Sequence, residues 1–98
     1  MRMWVRNMNI KDLKKILCEY LQYYANERSL IMKSPCRCRI IKMYNFLQCT
    51  IITSPVAETY EKRRWYKGIP LYEIVIGWDE GARITARIDL DEIAIVLR

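Results

Sequence analysis

The chain has 98 residues, of which 52% are hydrophobic and 29% are charged, and its formal net charge is +6. This composition excludes a mainly disordered chain, and the length predicts one compact domain over residues 1–98. The longest stretch without a formal charge, residues 43–57, is too short to span a membrane, and residues 1–6 carry charges where a secretory signal needs apolar residues. We therefore expect a cytoplasmic protein without a membrane span.

Residues 9–27 have the pattern of an amphipathic helix. Asn9 is a good N-cap, and Asp12 places negative charge in the first turn. Apolar residues recur at helical spacing and predict a face that packs on the core: Ile10, Leu13, Ile16, Leu17, Tyr20, Leu21 and Tyr24. Three lysines, Lys11, Lys14 and Lys15, crowd the first two turns, where the helix dipole disfavours cations. Either an anion binds there, or the lysines are simply exposed and solvated.

Residues 34–48 are compatible with two structures. Ser34-Pro35 could begin a helix, because proline is favoured at the first helical position. Alternatively, Cys36, Cys38 and Ile40 alternate with arginines as in a strand, and a turn at Tyr44-Asn45 leads into a second strand over residues 47–53. The β-branched residues favour the pair of strands.

Residues 58–68 contain the most distinctive segment, Lys62 to Lys67, in which cations and aromatic rings are interleaved. Neither a helical nor a strand period describes residues 56–67 well, so helix and strand both remain open. A stretch that is polar on both sides belongs at an exposed sheet edge or in a projecting ribbon, and a ribbon would bend near Lys67-Gly68.

The C-terminal third has the clearest strand pattern. Residues 71–78 and 83–89 alternate, and Asp79-Glu80-Gly81 predicts a three-residue hairpin loop with Gly81 in the left-handed conformation. Asp91-Glu92 predicts a further turn, with another strand starting at Ile93. The predicted fold is α+β, with an N-terminal amphipathic helix packed on an antiparallel sheet of four to five strands.

One helix is too small to cover such a sheet completely. We therefore expect some large apolar side chains to stay partly exposed, namely Leu71, Val75, Trp4 and Trp65. A second copy of the chain would cover them, which predicts a homodimer.

The chain contains no histidine. This removes the commonest general base and the commonest metal ligand, as well as every Ser-His or Cys-His nucleophile pair. The carboxylates at Asp79-Glu80 and at residues 89–92 lie in predicted turns. The sequence therefore predicts a protein that is not an enzyme and needs no cofactor.

Four cysteines, Cys18, Cys36, Cys38 and Cys49, allow three pairings if all are oxidised. Their spacing argues against zinc, because one pair is separated by a single residue, the other two are isolated, and histidine is absent. Buried free thiols are the favoured interpretation, so no metal site is predicted. The alternative is one disulfide from Cys36 or Cys38 to Cys18 or Cys49.

Positive charge is concentrated in the N-terminal half, where residues 1–48 hold ten Lys and Arg against three Asp and Glu. Such a surface attracts polyanions, and aromatic rings beside cations can stack on exposed bases. We therefore expect nucleic-acid binding, although no known DNA- or RNA-binding motif is present. The candidate contact residues are Lys62, Arg63, Arg64, Trp65, Tyr66 and Lys67, with Arg37, Arg39 and Lys42, and with Lys11, Lys14 and Lys15. Replacing Arg63 and Arg64 by alanine should then weaken binding without loss of stability.

A protein-interaction or structural role is the competing hypothesis, because Trp, Tyr and Arg also dominate protein interfaces. The isoleucine-rich, glutamine-poor composition is similar to that of small thermostable proteins from hyperthermophilic archaea and their viruses. That likeness implies a host or virion protein as the partner, and host cytoplasm as the location if the protein is viral.

Overall fold

The computed structural model describes residues 9–96, with no side-chain description after Ile93. The described elements are, in chain order, α1 (Ile10–Glu27), β1 (Arg37–Ile41), β2 (Phe46–Thr53), β3 (Tyr60–Tyr66), β4 (Ile69–Trp78), β5 (Gly81–Asp89) and α2 (Leu90–Val96). The predicted α+β fold, an N-terminal helix on an antiparallel sheet, is confirmed.

Helix α1 begins where the sequence predicts. The side chain of Asn9 accepts a hydrogen bond from the backbone N–H of Asp12 at 2.9 Å, and the carboxylate of Asp12 accepts one from the backbone N–H of Asn9 at 3.2 Å. This capping box satisfies two backbone donors at the helix start. The predicted apolar face is buried from Leu13 to Tyr24, and it packs on β2 and β5.

The five strands form one sheet in the order β1-β2-β5-β4-β3, and every neighbouring pair is antiparallel. The strand interpretation of residues 34–48 is confirmed by the β1–β2 hairpin, whose turn ends at Asn45 with a positive φ of 55°. Because β3 lies at the opposite edge from β1, the connection from β2 must cross the end of the sheet. It passes over β4 at Gly77, where a Cβ atom would lie 2.1 Å from the carbonyl oxygen of Val56.

The sheet has two different faces. One is covered by α1 and buries the alternate residues Leu47, Cys49 and Ile51 of β2, with their neighbours on β4 and β5. We call the other side the open face. The expected exposure of Leu71 and Val75 is wrong, since both are fully buried under α1. The helix covers more of the sheet than its length suggested, because its large side chains, such as Tyr20 and Tyr24, reach towards β3 and β4. Trp65 is 58% exposed, as predicted, and Trp4 lies outside the described residues.

The turn between β4 and β5 differs from the prediction. Gly81 does not have a positive φ, and it already pairs with Trp78 as the first residue of β5. Position 81 leaves no room for a side chain, because a Cβ atom would lie 2.9 Å from the carbonyl oxygen of Thr53 and 3.2 Å from the Trp78 ring.

The predicted strand from Ile93 is also wrong, because residues 90–96 form helix α2. The side chain of Asp89 accepts hydrogen bonds from the backbone N–H groups of Asp91, at 2.9 Å, and Glu92, at 3.3 Å. This is the contact of an N-cap, and it starts a helix where alternating isoleucines indicated a strand.

The cysteines form two disulfides, Cys18–Cys36 and Cys38–Cys49, so the favoured prediction of free thiols is wrong. The first disulfide joins α1 to the segment before β1, and the second joins residues that face each other in the β1–β2 hairpin. The second bridge follows from strand register and the first from the packing of α1 on the sheet, neither of which the linear spacing of the cysteines reveals.

Candidate functional site

The segment from Lys62 to Lys67 forms an edge strand rather than a projecting ribbon. Lys62 to Tyr66 belong to β3, which pairs with β4 along its whole length, and Lys67 lies in the turn that follows. The chain does bend at the predicted place, since Lys67 and Gly68 have positive φ values of 51° and 79°. Two successive residues of this kind are typical of the tight turn that joins antiparallel strands.

Three cations of this segment are engaged by acids from other elements. Arg63 forms an ion pair with Glu92 of α2, and Arg64 contacts Glu73 of β4 at 3.5 Å. The Nζ atom of Lys67 lies 2.6 Å from a carboxylate oxygen of Glu19 on α1. That hydrogen bond, aided by one from Tyr66, lowers the pKa of the Glu19 carboxyl. These three side chains are therefore less available to phosphate than the sequence suggests.

Arg64 belongs to a buried polar cluster around Glu73, which is 1% exposed. The Glu73 carboxylate accepts hydrogen bonds from the hydroxyls of Tyr20 and Tyr60, and the Tyr24 hydroxyl lies 3.0 Å from that of Tyr60. Removing the Arg64 guanidinium would leave this carboxylate without its cation, and such a loss is destabilising. These contacts argue against the expectation that replacing Arg63 and Arg64 leaves stability unchanged.

A cavity of about 320 Å³ lies beside this cluster, between α1 and β3. Both cations that line this cavity already contact other side chains. Arg64 contacts Glu73, and the guanidinium of Arg28 lies 3.7 Å from the centroid of the Tyr24 ring. Within residues 9–93 no buried side-chain polar atom lacks a hydrogen-bond partner. The cluster therefore has the contacts of a structural network that joins the helix to the sheet.

Strand alternation divides the predicted segment between the two sides of the sheet. Lys62, Arg64 and Tyr66 pair with buried residues of β4 and lie on the α1 side of the edge, whereas Arg63 and Trp65 lie on the open face. Lys62 is exposed, with its ammonium group 4.8 Å from the centroid of the Tyr60 ring.

The other predicted cations lie on two further surfaces. Arg37 and Arg39 are exposed on the open face at the opposite edge, where they line a pocket of about 170 Å³ with Gln48 and Thr50. Lys42 is exposed in the turn between β1 and β2. The helix lysines lie on α1, which covers the other face of the sheet. None of these six cations forms an ion pair with another part of the described chain: Lys11, Lys14, Lys15, Arg37, Arg39 and Lys42.

The open face contains a row of aligned side chains that the sequence did not single out. The strand registers place one residue from each strand in line across the whole sheet, in the order Arg39, Gln48, Arg87, Tyr72 and Arg63. We call these five residues the cross-sheet row. At about 4.8 Å between strands, the row is roughly 19 Å long, with a guanidinium on every second strand.

Hydrogen bonds orient the members of the cross-sheet row. Arg87 donates to the side-chain oxygen of Gln48 at 3.2 Å, and Arg63 donates to the hydroxyl of Tyr72 at 3.0 Å. The guanidinium of Arg87 also lies 5.2 Å from the centroid of the Phe46 ring. Gln48 and Arg87 were missed because their partners are distant in sequence, although their alternation with buried residues could have assigned them to one face.

Aromatic rings flank the cross-sheet row. Phe46 and Trp65 lie in the next row, and Trp65 is exposed near Arg63, whose guanidinium is 5.8 Å from its ring centroid. Trp78, 44% exposed, lies on the same face near the β4–β5 turn. Five arginines share this face with only two carboxylates on its strands, Glu61 and Asp89. The open face therefore carries a net positive charge and several aromatic side chains.

Comparison with protein-family models, with curated protein sequences and with solved structures found no match to this chain. Within residues 9–96, neither helix is both long and apolar enough to cross a membrane.

Proposed function

We propose that the protein binds single-stranded nucleic acid on the open face of its sheet. The observation that carries this proposal is the cross-sheet row, which aligns three guanidinium groups across five strands and places aromatic rings beside them. Arg39 and Arg87 form no ion pair within residues 9–93 and are the members that bind phosphate, whereas Arg63 is paired with Glu92 and orients Tyr72. Guanidinium groups bind phosphates, and exposed rings stack on bases for about 1–3 kcal/mol each.

The geometry favours a single strand over a duplex. The open face is a broad surface formed by five paired strands. Stacking on Trp65 or Phe46 also requires bases that are not already paired. Sheet surfaces of this kind typically hold two or three stacked bases.

The outlying lysines have a different role in this proposal. Lys11, Lys14 and Lys15 lie on the helix side of the molecule, away from the open face. Their charge raises the local concentration of a polyanion and speeds its encounter without direct contact. Lys62 at the sheet edge and Lys42 in the hairpin turn act in the same way.

A pair of double variants with equal charge change tests the proposal. Arg39→Ala with Arg87→Ala removes two guanidinium groups from the cross-sheet row, whereas Lys11→Ala with Lys15→Ala removes two cations from the exposed side of α1. Binding of labelled single-stranded DNA and RNA oligonucleotides is measured by fluorescence anisotropy at several salt concentrations. The arginine variant should bind much more weakly, and the slope of log K against log salt should fall in magnitude by about 1.4, because two fewer phosphates are neutralised.

Two outcomes would contradict this assignment. If both double variants weaken binding equally, the attraction depends on net charge and the open face is not the contact surface. If the unmodified protein binds no oligonucleotide at low salt, nucleic acid is not its ligand.

A protein partner is the alternative, because large apolar side chains are exposed on the same face: Trp65, Ile76 and Trp78. A second copy of the chain seated there would give the predicted homodimer and would cover the cross-sheet row. Sedimentation velocity of the protein with and without oligonucleotide separates the cases. A stable dimer that binds no oligonucleotide would favour the protein-interaction role.

A further inference from the structure

The four cysteine sulfurs form one compact cluster. They come from three places in the fold: Cys18 from α1, Cys36 and Cys38 from β1 and the residue before it, and Cys49 from β2. All four sulfur atoms lie within 4.8 Å of one another, and those of Cys18 and Cys38, which belong to different disulfides, are 3.5 Å apart.

We propose that this cluster binds one Zn²⁺ ion through four thiolates when its two disulfides are reduced. Each disulfide takes up two electrons and two protons from a dithiol reductant, which is itself oxidised to a disulfide, and four thiols result. Binding of Zn²⁺ then releases four protons and forms four Zn–S bonds. The same sulfurs thus support two alternative states, an oxidised state with two disulfides and a reduced, metal-bound state.

The sulfur positions are close to those that tetrahedral zinc requires. A Zn–S distance of about 2.3 Å places the sulfurs of a four-cysteine site roughly 3.8 Å apart. The four sulfurs already lie within 4.8 Å of one another, so the pairs that are not bonded need to shift by only about 1 Å or less. The two bonded pairs must open from about 2.05 Å to about 3.8 Å, a change that side-chain rotation can supply.

The positions of the cysteines do not depend on the disulfides alone. Cys38 and Cys49 face each other through the hydrogen-bonded register of β1 and β2. Helix α1 is held against the sheet by Leu17 and Leu21, which are fully buried. In the folded reduced chain, strand pairing and helix packing therefore still hold the four cysteines close together.

The spacing argument against zinc fails because it assumed that ligands come in sequence-adjacent pairs. Here the hairpin brings Cys38 opposite Cys49, and α1 supplies Cys18 from another layer of the fold. Four thiolates complete the coordination without histidine.

The surroundings favour a site with net negative charge. Zn²⁺ with four thiolates carries a charge of −2, and Lys14 lies one helical turn before Cys18, on the same side of α1. The carbonyl oxygen of Lys14 is 3.9 Å from the sulfur of Cys49, which places this turn of the helix beside the cluster. A cation beside the site offsets part of that negative charge. This gives Lys14 a role at a helix position where the helix dipole alone would oppose a cation.

Access to the cluster is also suitable. Cys49 is fully buried, whereas Cys18, Cys36 and Cys38 are half-buried. A small reductant and a metal ion can therefore reach the sulfurs from one side.

The experiment compares the reduced and the oxidised full-length chain. Each is freed of metal, and the reduced chain is kept in a phosphine reductant under argon. After gel filtration, the Zn²⁺ that elutes with the protein is quantified by elemental mass spectrometry. In a separate titration, Co²⁺ serves as a spectroscopic probe of the site. We expect one Zn²⁺ per reduced chain, none on the oxidised chain, and the intense visible absorption of Co²⁺ in a tetrahedral thiolate site.

Cysteine variants test whether Zn²⁺ binds at the folded cluster rather than to thiols of an unfolded chain. Cys38→Ser and Cys49→Ser each remove one ligand, and each should lower the affinity for Zn²⁺ at least about 10-fold and weaken the tetrahedral Co²⁺ spectrum. Met43→Ser is the control, because its side chain is 82% exposed in the turn after β1 and the change leaves all four cysteine sulfurs in place. If the metal-free reduced chain is unfolded, one equivalent of Zn²⁺ should restore its circular dichroism, because metal binding and folding are then coupled.

Three results would overturn the proposal. The first is a reduced chain that retains no stoichiometric Zn²⁺. The second is equal Zn²⁺ affinity in the serine variants, and the third is Co²⁺ absorption without the tetrahedral thiolate bands. None of these measurements uses nucleic acid, so their outcome is independent of the proposed function.

Discussion

Glu73 is the only charged side chain among residues 9–93 that is almost completely buried. Its carboxylate is satisfied by two tyrosine hydroxyls and one guanidinium, from Tyr20, Tyr60 and Arg64. Burial, together with hydrogen bonding to Glu73, raises the pKa of Tyr20, and burial with hydrogen bonds to Tyr24 and Glu73 raises that of Tyr60. The phenols must stay protonated to keep these contacts.

The raised pKa values predict loss of stability in alkali. Below about pH 10, the ordinary pKa of tyrosine, both the folded and the unfolded chain hold the phenol protons. Above it, the unfolded chain releases them while the folded chain retains them, so the free energy of unfolding falls as pH rises. Each such tyrosine contributes a slope of up to about 1.4 kcal/mol per pH unit.

Urea unfolding between pH 9 and pH 12 measures that slope. Tyr20→Phe should make the slope of unfolding free energy against pH shallower, because phenylalanine has no phenol proton to release. This holds whatever the effect of the substitution on stability near pH 7. Tyr44→Phe, which alters a 59% exposed ring, is the control and should leave the slope unchanged. An identical slope in all three proteins would show that the cluster does not hold these protons.

At the scale of elements, the position of β3 depends on the connection that precedes it. Residues 54–59 run from β2 past β4 to the far edge of the sheet, and the backbone N–H of Gly77 donates to the side chain of Thr59 at 2.9 Å. The connection approaches β4 so closely that only glycine leaves room at position 77. β3, with its basic-aromatic segment, is an edge strand because this crossing is possible.

Substituting Gly77 or Gly81, which both lie close to another backbone segment, should therefore lower stability to different extents. In Gly77→Ala the new Cβ atom would lie 2.1 Å from the carbonyl oxygen of Val56, whereas in Gly81→Ala its closest contact would be 2.9 Å, to Thr53. Since both obstacles are backbone, we expect Gly77→Ala to lower the free energy of unfolding by about 1–3 kcal/mol or more, and Gly81→Ala by less. Chemical denaturation followed by circular dichroism checks the order, and a larger loss in Gly81→Ala would contradict it.

At the scale of the whole molecule, the ion pairs are concentrated at one edge of the sheet. The three ion-paired cations lie on β3 and in the turn after it, whereas cations without ion pairs within residues 9–93 occur on α1, on β1 and its turn, at Lys62 of β3, and at Arg83 and Arg87 of β5. The disulfide cluster lies between α1 and the β1–β2 hairpin, so it joins the two layers at the edge opposite the ion pairs.

Reduction of the disulfides should lower stability markedly. The bridges close loops with sequence separations of 18 and 11 residues, for which chain entropy predicts about 3 kcal/mol each. Thermal unfolding of the oxidised chain, and of the chain reduced in the presence of a chelator, measures the difference. We expect a much lower melting temperature after reduction, and equal melting temperatures would mean that the bridges contribute nothing to stability.

The sequence by itself determined part of the local structure. The apolar period of residues 10–24 and the cap at Asn9 specify α1, and alternation specifies β4 and β5, because these patterns depend on neighbours within a few residues. For β1 and β2 the sequence favoured strands but left a helix open, and for β3 neither period fitted. It failed at residues 90–96, where alternation indicated a strand and the Asp89 cap starts a helix. It also identified Trp65, Arg37 and Arg39 as exposed side chains.

Only the tertiary structure decided which face of each strand is covered, and that choice fixed the candidate site. Alternation separates Leu71 from Tyr72 but does not say which of them α1 will cover. Strand register then aligned Arg39, Arg87 and Arg63, and it set Cys38 opposite Cys49. These relations join residues far apart in the chain, and they form because burying one apolar face under one helix fixes every strand's orientation at once.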